Sequence, residues 1–277
     1  MMNQQYSPSG FSLLPPVVKN LLIINGLFFL ATISMESALG IDLVKILGLY
    51  YFRSELFQPY QFVTYMFLHA DIQHILYNMF ALWMFGYLLE NVWGSKRFLS
   101  YYLLTGIGAA IVQILVNYWT FSSIDTAALA YSNAPSLDAF TEFVKNHFPQ
   151  YYESGGTIRT FISSWSLSPL TPEYMNQSVE YVNQLIQLRM DVPTIGASGA
   201  VYGILFAFGW MFPNMLVYIY FLFPIKAKWI VIFYGAIELF SGISNNPSDN
   251  VAHFAHLGGM VFGFFLLYYW KKKVHFN

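Results

Sequence analysis

The chain has 277 residues, of which 56% are hydrophobic, 20% aromatic and only 10% charged, whereas an ordinary soluble domain carries about 25% charged residues. That deficit implies a polytopic membrane protein, and a net charge of −1 speaks against nucleic acid as a partner. There is no cysteine. A disulfide framework, a thiol nucleophile and a thiolate metal site are therefore excluded, and any catalysis rests on Ser, His, Asp, Glu, Lys or a metal.

The opening stretch "MMNQQYSPSGFSLLPPVVKN" has no basic start, and Pro15-Pro16 precedes the apolar run. It reads as a short tail leading into a retained membrane helix rather than as a cleaved signal peptide. A spanning helix needs about 20 mostly apolar residues. Six segments are candidates: 17–34, 72–92, 98–118, 197–213, 229–243 and 252–270. Residues 214–225 are apolar but short; they either lie at the interface or lengthen a neighbouring span. Lys96 and Arg97, Lys226 and Lys228, and Lys271, Lys272 and Lys273 all fall on one side if both termini are cytoplasmic.

Two long connections then lie outside. The first, 35–71, contains "LYYFRSELFQPYQFVTYMFLHAD", too interrupted to span and too aromatic to float free, so a half-embedded interfacial loop is expected. The second, 119–193, holds seven acidic residues against three basic ones. "YESGGT" and "SLSPLTPEY" are turn signals within it, and "EYVNQLIQLRM" is patterned as a short amphipathic helix. It reads as a small external insertion, not a seventh span. No repeat is visible, so 1–277 is expected to be one membrane domain with 119–193 inserted in it.

Polar residues inside membrane segments are costly and raise a functional hypothesis. Ser198 lies about three residues into the fourth segment, about 5 Å below its outer end, in the pattern Gly196-Ala197-Ser198-Gly199. Alone, a serine in a Gly/Ala frame reads as helix packing, and Ala200 departs from the G-x-S-x-G nucleophile elbow. His256 lies at a matching depth in the sixth segment; His253, one turn shallower, is the competing candidate but is expected to face water or headgroups. His256 is either a base for a serine or an ordinary interhelical hydrogen-bond partner. His74 and Asn78 share one face of the second segment through their i, i+4 spacing. They are either donors to an oxyanion or a structural pair. Metal binding by His69, His74, His253 and His256 lacks an H-E-x-x-H pattern or a carboxylate at ligand spacing, and no metal is expected. Glu238, in "YGAIELFSG" of the fifth segment, is either a proton relay or base, or the cap of a structural network. The structural role is preferred, with little loss expected on Glu238→Gln. Three separate segments thus bring a nucleophile, a base and two oxyanion donors to one level, which is the parts list for acyl transfer.

In that order, "HADIQHILYNMFALWMFG", "GASGAVYG" and "AHLGGMVFG" resemble the H-x-x-x-N, G-x-S-G and A-H-x-x-G-x-x-x-G helices of the rhomboid family of intramembrane serine proteases. The resemblance runs from about residue 55 to 270, apart from 119–193. It implies an all-α, six-transmembrane-helix rhomboid bundle with a half-embedded first external loop and an external insertion between helices 3 and 4. It also implies a Ser–His dyad without an essential aspartate, with Ser198 as nucleophile and His256 as base. The oxyanion hole would be the Ser198 N–H with His74 and Asn78. Tyr202 would pack on the histidine, and Gly196, Gly199, Gly259 and Gly263 would let helices approach closely. No cofactor is implied. The partners implied are transmembrane protein substrates within the lipid bilayer, and a homo-oligomer is also compatible. Location in a bacterial inner (plasma) membrane, with cytoplasmic termini and the site opening outward, completes the expectation. His69, the loop "SNNPSDN" and His253 would supply water. An inactive relative and a transporter are the rivals. The first should lack the serine or the histidine, and the second should show inverted repeats.

Overall fold

Helix boundaries in the computed structural model follow local backbone chemistry closely; it describes residues 12–153, 155–169, 171–219, 223–244 and 251–274. Helix α1 (Pro16–Leu39) starts with proline, where no N–H is needed, and stops at Gly40, whose φ of 67° turns the chain. The N–H groups of Val17 and Val18 donate to the buried Glu90 carboxylate at 2.9 and 2.8 Å, an anion placed at a helix N-terminus. In the 35–71 connection lie two short helices, α2 (Leu43–Leu47) and α3 (Gln61–Thr64), and a 3₁₀ turn at Tyr65–Phe67. The buried Gln61 side chain ties this loop together, donating to the Ile46 and Leu56 carbonyls. Helix α4 (Ile72–Trp93) is capped by Asp71, which accepts from the His74 N–H at 2.8 Å.

Helix α5 (Ser95–Asn133) corrects the expected boundary. The third segment was expected to end near 118, but the helix runs 39 residues, about 58 Å at the usual rise. Residues 119–133 carry no Gly or Pro, and the first breaker is Pro135. The insertion therefore begins as a continuation of a bundle helix. It goes on as α6 (Leu137–His147), α7 (Pro149–Glu153), α8 (Thr157–Leu167) and α9 (Pro172–Met190), the last containing the expected amphipathic stretch.

After α10 (Ser198–Met211), part of the 214–225 stretch forms an antiparallel pair, β1 (Leu216–Ile219) and β2 (Phe223–Lys226), in register Leu216↔Lys226 to Ile219↔Phe223. Residues 214–225 were expected at the interface or as a span extension; Pro213 after α10 and Pro224 rule out a continued helix. Helices α11 (Ala227–Ser244) and α12 (His253–Val274) complete the chain.

Helix α10 is the centre of the bundle, packed on α4, α5, α11 and α12. Leu82, Phe85, Tyr101, Tyr102, Ile204 and Phe208 form its buried core. Among the described residues, three helices are long and apolar enough to cross a membrane, namely α1, α5 and α11; α10 is a shorter apolar helix. Ile23, Leu27, Leu30, Ile232, Phe233 and Phe240 point outward, a surface suited to lipid and not to water. The chain is an integral membrane protein. A second core belongs to the insertion, where Phe121, Tyr131, Phe140, Phe148, Phe161 and Trp165 are buried together. The 35–71 loop is stitched to it. Tyr51 stacks on Phe121 at 4.7 Å, Ser54 Oγ donates to Asp191 at 2.6 Å, Arg53 pairs with Asp125, and Leu49 bridges Thr194.

Candidate active site

The site begins with a glycine that no other residue replaces easily. Gly196 has φ 127°, and a Cβ there would lie 2.8 Å from His74 Nε2. Its N–H donates to the Tyr65 carbonyl at 2.9 Å. This turn delivers the chain into α10 with Ser198 as the first helical residue, so the Ser198 N–H belongs to the unsatisfied, partly positive helix end. Ser198 Oγ and His256 Nε2 are 2.7 Å apart.

That distance depends on α10 and α12 lying almost backbone to backbone. A side chain at Gly259 would run into the Gly199 carbonyl. Gly199 also faces Ala109 of α5, and Gly263 faces the Tyr101 hydroxyl, which donates to the Gly203 carbonyl at 2.9 Å. One turn below Ser198, the Tyr202 ring stacks flat on His256, 4.3 Å between centroids and 6° between planes. Gly196, Gly199, Tyr202 and Gly259 thus lie within about a turn of Ser198 or His256, while Gly263 lies deeper, against Tyr101 and the Gly203 carbonyl.

His74 and Asn78 occupy the opposite wall on α4. His74 Nδ1 accepts from the Ala70 N–H at 3.3 Å, which leaves Nε2 as the protonated nitrogen facing the Gly196 turn. Asn78 is buried, and its Nδ2 donates back to the His74 carbonyl at 2.9 Å. Next to His74, edge-on at 5.0 Å, is His69. His69 does not line a wet path as expected. It is 2% exposed, and neither ring nitrogen has a hydrogen-bond partner among the described residues. Burial, helped by the His74 ring, pushes its imidazole down to about 4. Of "SNNPSDN", residues 245–250 lie outside the described residues.

His253 differs from expectation, and Glu238 sits in a hydrogen-bonded network. His253 does not face headgroups; its side chain is 13% exposed and its Nδ1 lies 2.6 Å from Glu238 Oε2. Glu238 also accepts from the Tyr202 hydroxyl, and its Oε2 is 2.9 Å from His256 Nδ1. At that ion-pair distance, the angle is not that of a normal hydrogen bond. Glu238, His253 and His256 have ligand atoms close enough together for a cation. However, the carboxylate oxygen itself occupies the place between the two rings, so the three read as a hydrogen-bonded cluster. An acid inside an apolar helix marks Glu238 in the sequence, but its contact with the His256 ring is visible only in the structure.

A family model described as "Rhomboid domain" matches residues 56–132 and 147–273. The match runs through much of the insertion, where no resemblance was expected, and within it leaves out only 133–146. The chain is 35% identical over 94 residues to "Rhomboid-like protein 11, chloroplastic" of Arabidopsis thaliana, 33% of this chain and 34% of that protein. It is 35% identical over 66 residues to "Rhomboid-like protease 3" of Toxoplasma gondii, 24% of this chain and 25% of that protein. The matched stretches therefore span about a third and a quarter of the length of these curated relatives.

Proposed function

We propose that this chain, which belongs to the rhomboid family, is an intramembrane serine endopeptidase that hydrolyses peptide bonds in or beside transmembrane helices. The observation that carries this reading is the 2.7 Å contact of Ser198 Oγ with His256 Nε2 between two helices remote in sequence. His256 Nε2 takes the hydroxyl proton as Oγ attacks the scissile carbonyl, then returns it to the leaving amine. The oxyanion forms at the N-terminus of α10. There the Ser198 N–H, the His74 Nε2–H and, after turning from its own helix, the Asn78 amide stabilise the charge. Tyr202 keeps the imidazole ring in plane for both transfers.

A substrate helix has no exposed scissile bond, so it must unwind locally. Membrane proteins with Gly, Pro or polar residues near the outer surface are the preferred class. The chain forms one domain of six spanning helices, α1, α4, α5, α10, α11 and α12, with 119–193 as an external insertion. Both termini are cytoplasmic and the site opens outward, as the Lys/Arg loops indicate, and we place the chain in a bacterial-type plasma membrane.

Purified protein in lipid vesicles should cleave a membrane-anchored reporter whose helix carries Gly and Pro near its outer end. Ser198→Ala should abolish cleavage and covalent labelling by a fluorophosphonate. Cleavage by Ser198→Ala at the parental rate would sink the assignment.

A further inference from the structure

We propose that Glu238 is a positioning residue for His256, so that this chain orients its base with a carboxylate in place of relying on the serine–histidine pair alone. The inference rests on the protease reading above and names a further residue for that same site.

Four observations converge. The Glu238 side chain is buried in an apolar helix, where a carboxylate without partners is strongly disfavoured. Its Oε2 lies 2.9 Å from His256 Nδ1, on the far side of the ring from Ser198. Its Oε1 accepts from Tyr202, the residue stacked on that ring. Along α11, Ala227 and Ile230 are buried in the opening turn, and Glu238 is the one buried residue beyond it. The inner face of this half of the helix therefore presents a single anchored group, directed at the base.

The chemistry follows from proton positions. To accept from Ser198, His256 must have a bare Nε2, so Nδ1 carries the hydrogen. The only acceptor at contact distance from Nδ1, among the described residues, is Glu238 Oε2. When Nε2 takes the serine proton, the imidazolium charge develops 2.9 Å from the carboxylate. A small turn of the ring then converts the contact into a charge-assisted hydrogen bond. The proton on Nδ1 stays on the histidine, and Glu238 is never protonated in the cycle. His253 Nδ1 holds the same oxygen at 2.6 Å; it keeps the carboxylate in place between turnovers.

The test uses the full-length protein in lipid vesicles with a membrane-anchored reporter. Glu238→Gln should lower kcat about 10- to 100-fold with KM nearly unchanged, less than the about 10⁴-fold loss where a buried aspartate orients a triad histidine. Fluorophosphonate labelling of Ser198 should slow in parallel, and Glu238→Asp should recover part of the rate. Parental kcat in Glu238→Gln would overturn the inference while leaving the protease reading intact. So would a rise in KM alone. If Glu238→Gln does not fold in lipid, labelling of Glu238→Asp decides: full parental melting with no rate change beyond twofold overturns the role. Absence of Ser198-dependent cleavage by the parent would remove the protease reading and this inference with it.

Discussion

The bundle and the insertion bury their side chains in contrasting ways. Around Ser198 the contacts are between small groups, with Gly199 against Ala109, Gly259 against the Gly199 carbonyl and Gly203 against Thr105. In the insertion they are between large rings, with Phe140, Phe161, Trp165 and Tyr174 packed edge to face, tilted or stacked. Its outer faces carry exposed Asp138, Glu142, Lys145, Glu173 and Glu180. Lipid is as apolar as leucine, so helices within it gain little from hiding leucine, and close backbone approach with polar contacts must hold them. Beside water, burying aromatic area is the dominant stabilising term. The same chain therefore uses two packing chemistries, and only the first sets distances at the serine.

The sharpest break of this contrast is Gly259→Ala. Its new methyl meets the Gly199 carbonyl, α12 moves off α10, and reporter cleavage should fall more than about 100-fold, as misplacements of about 1 Å commonly cause. Resistance of the insertion to limited proteolysis should not change. Conversely, Trp165→Ala should remove about 3–5 kcal/mol from the insertion, read by hydrogen exchange in α6 and α8, with Ser198 labelling held within a few-fold. Equal losses of labelling in the two variants would mean that the regions are one cooperative unit.

A smaller effect is expected from pH. The folded value of His69 is about 4, below its ordinary value, so its neutral form stabilises the fold fully above about pH 6.5 and the contribution is lost as pH falls from there towards 4. The melting temperature in detergent should drop across that window, and His69→Gln should flatten the slope. Smallest of all, Arg53→Ala breaks an exposed pair with Asp125 and should cost less than about 1 kcal/mol, vanishing at high salt. A larger loss would mean that the loop-to-insertion seam contributes to the bundle.

Much of the site could be read from sequence because its signals are local. A serine, two histidines and an asparagine in apolar helices stand out by composition, and i, i+4 spacing assigns Asn78 to the face of His74. Gly196 is expected to bring helices close and leave room for a substrate backbone; the positive φ and the approach of His74 that also demand a glycine there appear only in the structure. The parts that escaped depend on which helices become neighbours. Nothing local says that Glu238 on α11 meets His256 on α12, or that the His69 ring is sealed beneath α4. The far end of α5 escaped for another reason. The segment was measured by membrane thickness, while the helix obeys only its own breakers, and these begin at Pro135.

That helix has a mechanical consequence. Phe98, Tyr101 and Ala109 anchor its first half in the bundle, and Phe121, Ile124 and Tyr131 anchor its second half in the insertion. A single unbroken rod joins the two, with no hinge residue along 119–133. A load applied to the insertion, by a docked protein or a moving lipid, would arrive without slack at Ala109, whose methyl rests against Gly199 beside the serine.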